Sequence, residues 1–221
     1  VYKRQDAGGL WDKYPVEQVA TPEGYARNPE QVINFYNERR KQLLDVVPNA
    51  GHLGVADLER DFNVTVVTQN VDNLHERAGS THVIHLHGEL TKVCSSRDPY
   101  NPHFVKELAP EEYEVKLGDK AGDGTQLRPF IVWFGESVPE IETAIRYVEQ
   151  ADIFVIIGTS LNVYPAAGLL NYVPRAAEVY LIDPKPVDTH VMRPIHVIQK
   201  GASEGVKELK ALLAATQPPL P

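Results

Sequence analysis

A histidine, two amides and a carboxylate stand close enough in this chain to act on one small molecule. The segment Val67-Thr68-Gln69-Asn70-Val71-Asp72-Asn73-Leu74-His75 turns from β-branched residues to amides and an acid. A second apolar run, Ile84-His85-Leu86-His87-Gly88, ends in a histidine backed by glycine. Side chains at the carboxyl ends of parallel strands face the crevice where ligands bind, so Gln69, Asn70, Asp72 and His87 are expected to converge there. His85 and His87, two apart on a strand, share a side, which is also how some metal sites begin, but a third ligand is not evident. The plainer reading of the two is one solvated and one hydrogen-bonded histidine.

Two further stretches carry candidate chemistry. Gly158-Thr159-Ser160 closes the run Ile153 to Ile157, and Asp183 closes the run after it. A small-residue turn lets backbone approach a phosphate or ribose, and an acid after the next strand can accept from a ribose hydroxyl. The full glycine fingerprint is absent, so a tight turn with a strand-terminal cap stands as the alternative. Gly158-Thr159-Ser160-Leu161-Asn162 lacks the second glycine of a nucleophile elbow, which removes a serine hydrolase. Nothing local supports Cys94 as a thiol nucleophile.

The elements that must position these residues alternate. Strand-like runs recur at Val64 to Thr68, Val83 to Leu86, Phe130 to Phe134, Ile153 to Ile157, Val179 to Ile182 and Ile195 to Ile198. Several are apolar at successive positions, the pattern of strands covered on both faces. Ile141, Ile145 and Val148 share a helical face after Pro139, and Val206, Leu209, Leu212 and Leu213 share another after a Ser203 cap. Strand and helix in alternation predict an α/β fold with a doubly wound parallel sheet. Residues 12–50 are a polar helical excursion starting at Asn28-Pro29, and residues 89–127 are rich in charge, Pro and Gly. These two stretches are expected to form a smaller module over a core of residues 51–88 and 128–217, with 1–11 and 218–221 outside both.

The 221 residues carry a net charge of -8. That balance disfavours nucleic acid and anionic membranes and suits basic partners such as lysine-rich segments. One cysteine excludes an internal disulfide and a zinc site of several thiolates, and no stretch reads as a membrane span, so a cytoplasmic monomer is expected. The only methionine is Met192. The chain therefore reads as a fragment whose first element is missing.

Taken together, Thr68-Gln69-Asn70-Val71-Asp72, His87-Gly88, Trp133-Phe134-Gly135-Glu136, Gly158-Thr159-Ser160 and Val163-Tyr164-Pro165-Ala166 resemble the sirtuins, the NAD-dependent protein-lysine deacylases. Asp6-Ala7-Gly8-Gly9-Leu10-Trp11 resembles the segment after that family's first glycine-rich loop. The resemblance implies a Rossmann-like core and acylated lysine side chains of proteins as substrate. It places Asn70 and Asp72 at the nicotinamide, Gln69 on its ribose, and His87 as the general base that takes a proton through the ribose hydroxyls. Such a base typically contributes about 10² to 10⁴ in rate. The products implied are free lysine, nicotinamide and an O-acylated ADP-ribose. Gly158, Thr159, Ser160, Asp183 and Ala202 would line the rest of the NAD site, although relatives more often carry asparagine where Asp183 stands. Val132, Trp133, Phe134, Gly135 and Glu136 would form the strand against which a substrate peptide adds. Tyr36 and Arg39 match the Tyr-x-x-Arg step of the subgroup that removes malonyl and succinyl groups, where an arginine fork can bind the acyl carboxylate. Residues three apart on a helix also serve as a packing aromatic and a solvated cation.

The chain departs from the family in two places. Most sirtuins hold a structural zinc with four cysteines; here Cys94 stands alone, so no zinc is expected. The family's first strand and its glycine-rich loop are absent, so these residues by themselves are expected to fold poorly and bind NAD weakly. Two rivals stay open. A mono-ADP-ribosyltransferase would leave ADP-ribose on protein, and a catalytically silent NAD-binding module would have no need of His87.

Overall fold

The computed structural model describes residues 13–159, 166–186 and 193–216. Expectations resting on Asp6 to Trp11, Ser160 and Val163 to Pro165 lie outside them. Three helices open the described chain: α1 (Val16–Val19), α2 (Pro22–Arg27) and α3 (Pro29–Leu44). The start of α3 follows from its sequence, because the Asn28 side chain accepts from Gln31 N at 3.1 Å and Pro29 takes the first turn, where no N–H is needed. Its inner face buries Val32, Phe35 and Tyr36 against Val19, Leu90 and Trp133.

The α/β core then runs α4 (Ala50–Asp57), β1 (Val66–Thr68), α5 (Leu74–Arg77) and β2 (Val83–His85). After the module's sheet it continues with α6 (Ile141–Val148), β6 (Ile153–Ile157), β7 (Glu178–Ile182), β8 (His196–Ile198) and α7 (Ala202–Thr216). Strands β1 and β2 pair in parallel, with Thr68 opposite His85, and β6, β7 and β8 form a second parallel ladder. Alternate residues serve two faces. Val67, Ile156 and Leu181 pack in one cluster with Ala144 and Val148 of α6, while Val66, Val155 and Ile182 pack in another with Val206 and Leu209 of α7. Both ladders thus lie in one layer covered on two sides, as the unbroken apolar runs predict. Among the described residues no ladder joins β1 to β6, and Val66, Val67, Ile153, Phe154 and Val155 are only half-buried.

Three sequence expectations are corrected. The run at Phe130 to Phe134 is not a strand of the parallel layer. Strand β5 is Leu127–Ile131 and pairs antiparallel with β3 (Gly88–Ser95), which also carries β4 (Lys106–Glu107) on its other edge. It ends where the Glu136 carboxylate takes Trp133 N at 2.8 Å in place of a ladder partner. Strand β3 was not anticipated, because Glu89 and Lys92 interrupt an otherwise buried row of Leu90, Val93 and Cys94. The last helix begins at Ala202, so Ser203 lies inside its first turn and is not a cap.

Gly88 joins the two halves. Its φ is +81°, and a Cβ there would stand 2.1 Å from the Phe130 carbonyl oxygen. Only glycine lets β3 leave His87 and cross β5 at that distance. We predict that Gly88→Ala lowers stability by about 1–3 kcal/mol or abolishes folding, read by urea denaturation; a wild-type midpoint would refute the close approach.

Candidate active site

Strand β1 ends at Thr68, and the chain then needs donors for the carbonyls of the loop that follows. They come from β2 and β3. The His87 ring meets the Gln69 carbonyl through Nδ1 at 3.2 Å, His85 Nδ1 meets the Asn70 carbonyl at 3.2 Å, and Leu90 N donates to the Val71 carbonyl at 2.7 Å. The Thr68 hydroxyl accepts from Asn70 N at 3.0 Å. Asp72 Oδ1 accepts from Leu74 N at 3.1 Å, which turns the chain into α5. Gln69 is therefore linked to His87 and Asn70 to His85, both through backbone carbonyls, and Asp72 follows on the same loop.

The other half of the candidate cofactor site follows β6 and β7. Gly158 has φ +61° and donates its N–H to the Ile182 carbonyl at 2.9 Å, which locks the turn after β6 to the end of β7. Thr159 follows it, half-buried. Asp183 comes next after β7, and its Oδ1 accepts from Lys185 N at 2.8 Å. Ala202 lies at the start of α7, where its methyl would stand 3.2 Å from a Cβ built on Gly51 of α4. In this structure Ala202 serves a close helix contact.

The candidate peptide segment is extended backbone followed by a turn. Val132 N donates to the His87 carbonyl at 2.9 Å and Phe134 N to the Ala20 carbonyl at 3.0 Å. Glu136 turns its carboxylate inward. Arg128 Nη1 and Nη2 grip its two oxygens at 2.7 and 3.0 Å, and Tyr100 donates to it at 3.3 Å. The Arg128 guanidinium also covers the Trp133 ring at 3.6 Å. Burial alone would lower the Arg128 pKa, but the hydrogen bonds and charge of Glu136 carry it above the ordinary value. Gly135 takes φ +91° in the turn, and Phe134 is 57% exposed.

The acyl-recognition candidates sit behind this segment. Tyr36 is buried and its hydroxyl accepts from Trp133 Nε1 at 3.0 Å. Arg39 is half-buried, with its guanidinium 5.7 Å from the Tyr36 ring and 5.9 Å from the Phe35 ring. The neighbouring Arg40 is consumed inside the module. It donates to the carbonyls of Tyr113 and Leu90 and to Asn37, and burial pulls its pKa down to about 10.

A model of the Sir2 family matches residues 2–165. The chain belongs to that family. It is 83% identical over 209 residues to an NAD-dependent protein deacylase of Bacteroides thetaiotaomicron, an alignment covering 95% of this chain and 89% of the relative. It also superposes on a Sir2 homologue in complex with ADP-ribose at a TM-score of 0.81 and 33% identity, covering 99% and 89% of the two chains. A Sir2 homologue in complex with NAD matches at 0.79 and 35%, covering 95% and 82%. The fold expectation, a Rossmann-like α/β core with a smaller module, agrees with these neighbours.

Within this Sir2-family chain, sequence reasoning missed Glu76 and Arg128. Glu76 Oε1 lies 2.6 Å from His85 Nε2, so His85 is the hydrogen-bonded histidine of the plainer reading, with partners on both ring nitrogens. Arg128 was legible only as a lone cation beside the apolar run at residue 130. Glu76, His85 and Glu89 bring one ligand-capable atom each within 4.8 Å of one another, a cluster in which Glu89 already binds Lys92 at 2.7 Å. Cys94 is fully buried, and burial pushes its thiol pKa up to about 12. We predict that a thiol-alkylating reagent at pH 8 leaves native protein unlabelled and modifies Cys94 only after denaturation, as read by mass spectrometry; native labelling at the denatured rate would contradict that burial.

Proposed function

We propose that this chain carries the machinery of an NAD-dependent protein-lysine deacylase. The observation that supports the reading is the hydrogen bond between the His87 ring and the Gln69 carbonyl, which ties that histidine to the backbone of the loop carrying Asn70 and Asp72. The resident groups suit the dinucleotide. Gly158 adds no side chain where backbone must come close, and the Asp183 carboxylate can only accept, as a ribose hydroxyl requires. When bound, NAD supplies the activated glycosidic carbon and carries away the acyl group. The chain's own residues bind, orient and move protons. Asp72 accepts from the nicotinamide carboxamide, Gln69 holds the ribose, and His87, neutral, takes the proton that its hydroxyls release.

The peptide side follows from backbone already committed. With the N–H groups of Val132, Trp133 and Phe134 bonded internally, an added peptide strand pairs through carbonyl oxygens of this segment, and sequence preference is broad. Glu136 acts on substrate only indirectly, by holding the segment's shape. Tyr36 and Arg39 give the site its preference for acyl chains ending in a carboxylate, by charge-assisted bonds worth about 1.5–3 kcal/mol each.

Nicotinamide release from NAD with matched acetyl-, malonyl- and succinyl-lysine peptides tests both claims. His87→Ala should lose nearly all turnover, and Arg39→Met should depress desuccinylation far more than deacetylation. Label from NAD ending on protein, with no acyl transfer, would instead identify a mono-ADP-ribosyltransferase. Equal losses for both acyl groups in Arg39→Met would remove the carboxylate role.

The small module is proposed to need no zinc. One thiolate cannot make the four-ligand site, and a polar network stands beside Cys94. The Ser95 hydroxyl donates to Asp123 at 2.7 Å and accepts from Arg97 N and Asp98 N. Hydrogen bonds from Ser95 and Thr125 hold the Asp123 carboxyl down to about 2. Purified protein should therefore show no stoichiometric zinc by metal analysis, and a one-to-one content would overturn this.

A further inference from the structure

His85 is a buried titratable group that the proposed chemistry does not use. It is the last residue of β2, with its side chain 7% exposed and a partner on each ring nitrogen. Nδ1 faces the Asn70 carbonyl at 3.2 Å, and Nε2 faces Glu76 Oε1 of α5 at 2.6 Å. Both partners are pure acceptors. A neutral imidazole carries one N–H and can serve only one of them, whereas the imidazolium carries two and serves both. The geometry is therefore complete in one protonation state only.

We propose that Glu76 and His85 form a positioning pair for the reaction, in which the doubly protonated His85 ring, held by Glu76, grips the Asn70 carbonyl and fixes the Gln69–Asp72 loop beside His87. The pair stands one strand position pair away from the base, His87, which grips the preceding carbonyl in the same manner. Two successive carbonyls thus each meet the Nδ1 of a histidine, one at the end of β2 and one in the turn that follows it. One histidine must be neutral to take a proton, and the other must be charged to hold the loop. This step rests on the deacylase reading, which supplies the reaction that Asn70 serves.

The surrounding charges favour that assignment. Burial alone would push the His85 pKa down, but the hydrogen bond and charge of Glu76, the Asn70 carbonyl and the charge of Glu89 on β3 carry it above the ordinary histidine value. The same contact holds the Glu76 carboxyl below its ordinary value against its own burial. Glu89 is in turn paired with Lys92. The opposing group is His75, next to Glu76 on α5. Burial lowers the His75 pKa, and its ring packs edge-on to His52 of α4 at 4.9 Å, whose pKa burial also lowers. The sign follows from a raised folded-state value. The grip is fully present below the ordinary histidine pKa and is lost as pH rises through the value His85 has in the fold.

Turnover should therefore show an acid limb, where His87 gains a proton, and an alkaline limb, where His85 loses one. The full chain is compared with Glu76→Gln, His85→Asn and His85→Ala, measuring kcat and KM for NAD and an acetyl-lysine peptide across pH. In parallel, nitrogen NMR follows the His85 ring and the Asn70 amide. Glu76→Gln is expected to move the alkaline limb acidwards by about 1 pH unit, with the acid limb and peptide KM unchanged. His85→Asn, whose side-chain N–H can meet the same carbonyl without titrating, should retain turnover and flatten that limb, while His85→Ala lowers kcat across the range. An alkaline limb that stays in place in Glu76→Gln while the ring titration shifts would overturn the proposal, as would His85→Asn behaving like His85→Ala. If the wild type releases no nicotinamide, the deacylase reading fails, and NMR alone decides the pair. An Asn70 amide that titrates with the His85 ring supports the grip, and one that does not overturns it.

Discussion

Three consecutive carbonyl oxygens, at Gln69, Asn70 and Val71, leave β1 without a strand to bond and must find donors elsewhere. A buried carbonyl without a partner costs about 1–3 kcal/mol, so this loop is fixed only as well as its donors are. Two come from the imidazole rings of His85, at the end of β2, and His87, in the turn before β3, and the third from backbone at Leu90 on β3. The consequence runs in both directions. The loop that presents Asn70 and Asp72 cannot move without releasing His87, and β3 cannot shift without releasing Val71. Gly88, at the junction of base and module, makes the arrangement sterically possible because nothing larger fits beneath the Phe130 carbonyl.

A second constraint holds the segment from Ile131 to Glu136. The Arg128–Glu136 pair is buried, with side chains 4% and 14% exposed, and such a pair is costly to break because the survivor is left charged in a poor solvent. Each spare donor or acceptor of the pair is spent on the segment it frames. Arg128 donates to the Ile131 carbonyl at 2.8 Å and Glu136 accepts from Trp133 N. Trp133 then passes the constraint to α3 through its bond to Tyr36. The segment from Ile131 to Glu136 and helix α3 are thus tied to one another.

How much of this the sequence discloses depends on what each residue answers to. The β-branched runs at 153–157 and 179–182 became β6 and β7 almost residue for residue, because strands covered on both faces need apolar side chains at every position. Gln69, Asn70 and His87 were legible because they end such runs. The module was not. Strand β3 mixes Glu89 and Lys92 with buried Leu90 and Val93, since the two charges satisfy each other at its surface and erase the alternation. Glu76 was hidden for a different reason. Its partner lies nine residues away across a turn, and only the folded chain shows that α5 returns its carboxylate to β2. Arg128 was hidden because its partner and its stacking ring come from the same turn and carry no helical or strand period.

The two adjacent arginines on α3 stand in different surroundings. Arg40, pointing into the module, spends its donors on the carbonyls of Leu90 and Tyr113 and on Asn37, which in turn accepts from Val115 N. It ties the helix to β3 and to the irregular segment beyond β4. One position earlier the side chain emerges about 100° around the helix, over the rings of Phe35 and Tyr36. An aromatic face attracts a guanidinium, and the rings of Phe35 and Tyr36 help to orient Arg39. Two neighbouring cations on one helix are thus held by different chemistry, Arg40 by carbonyl and amide oxygens and Arg39 against aromatic rings.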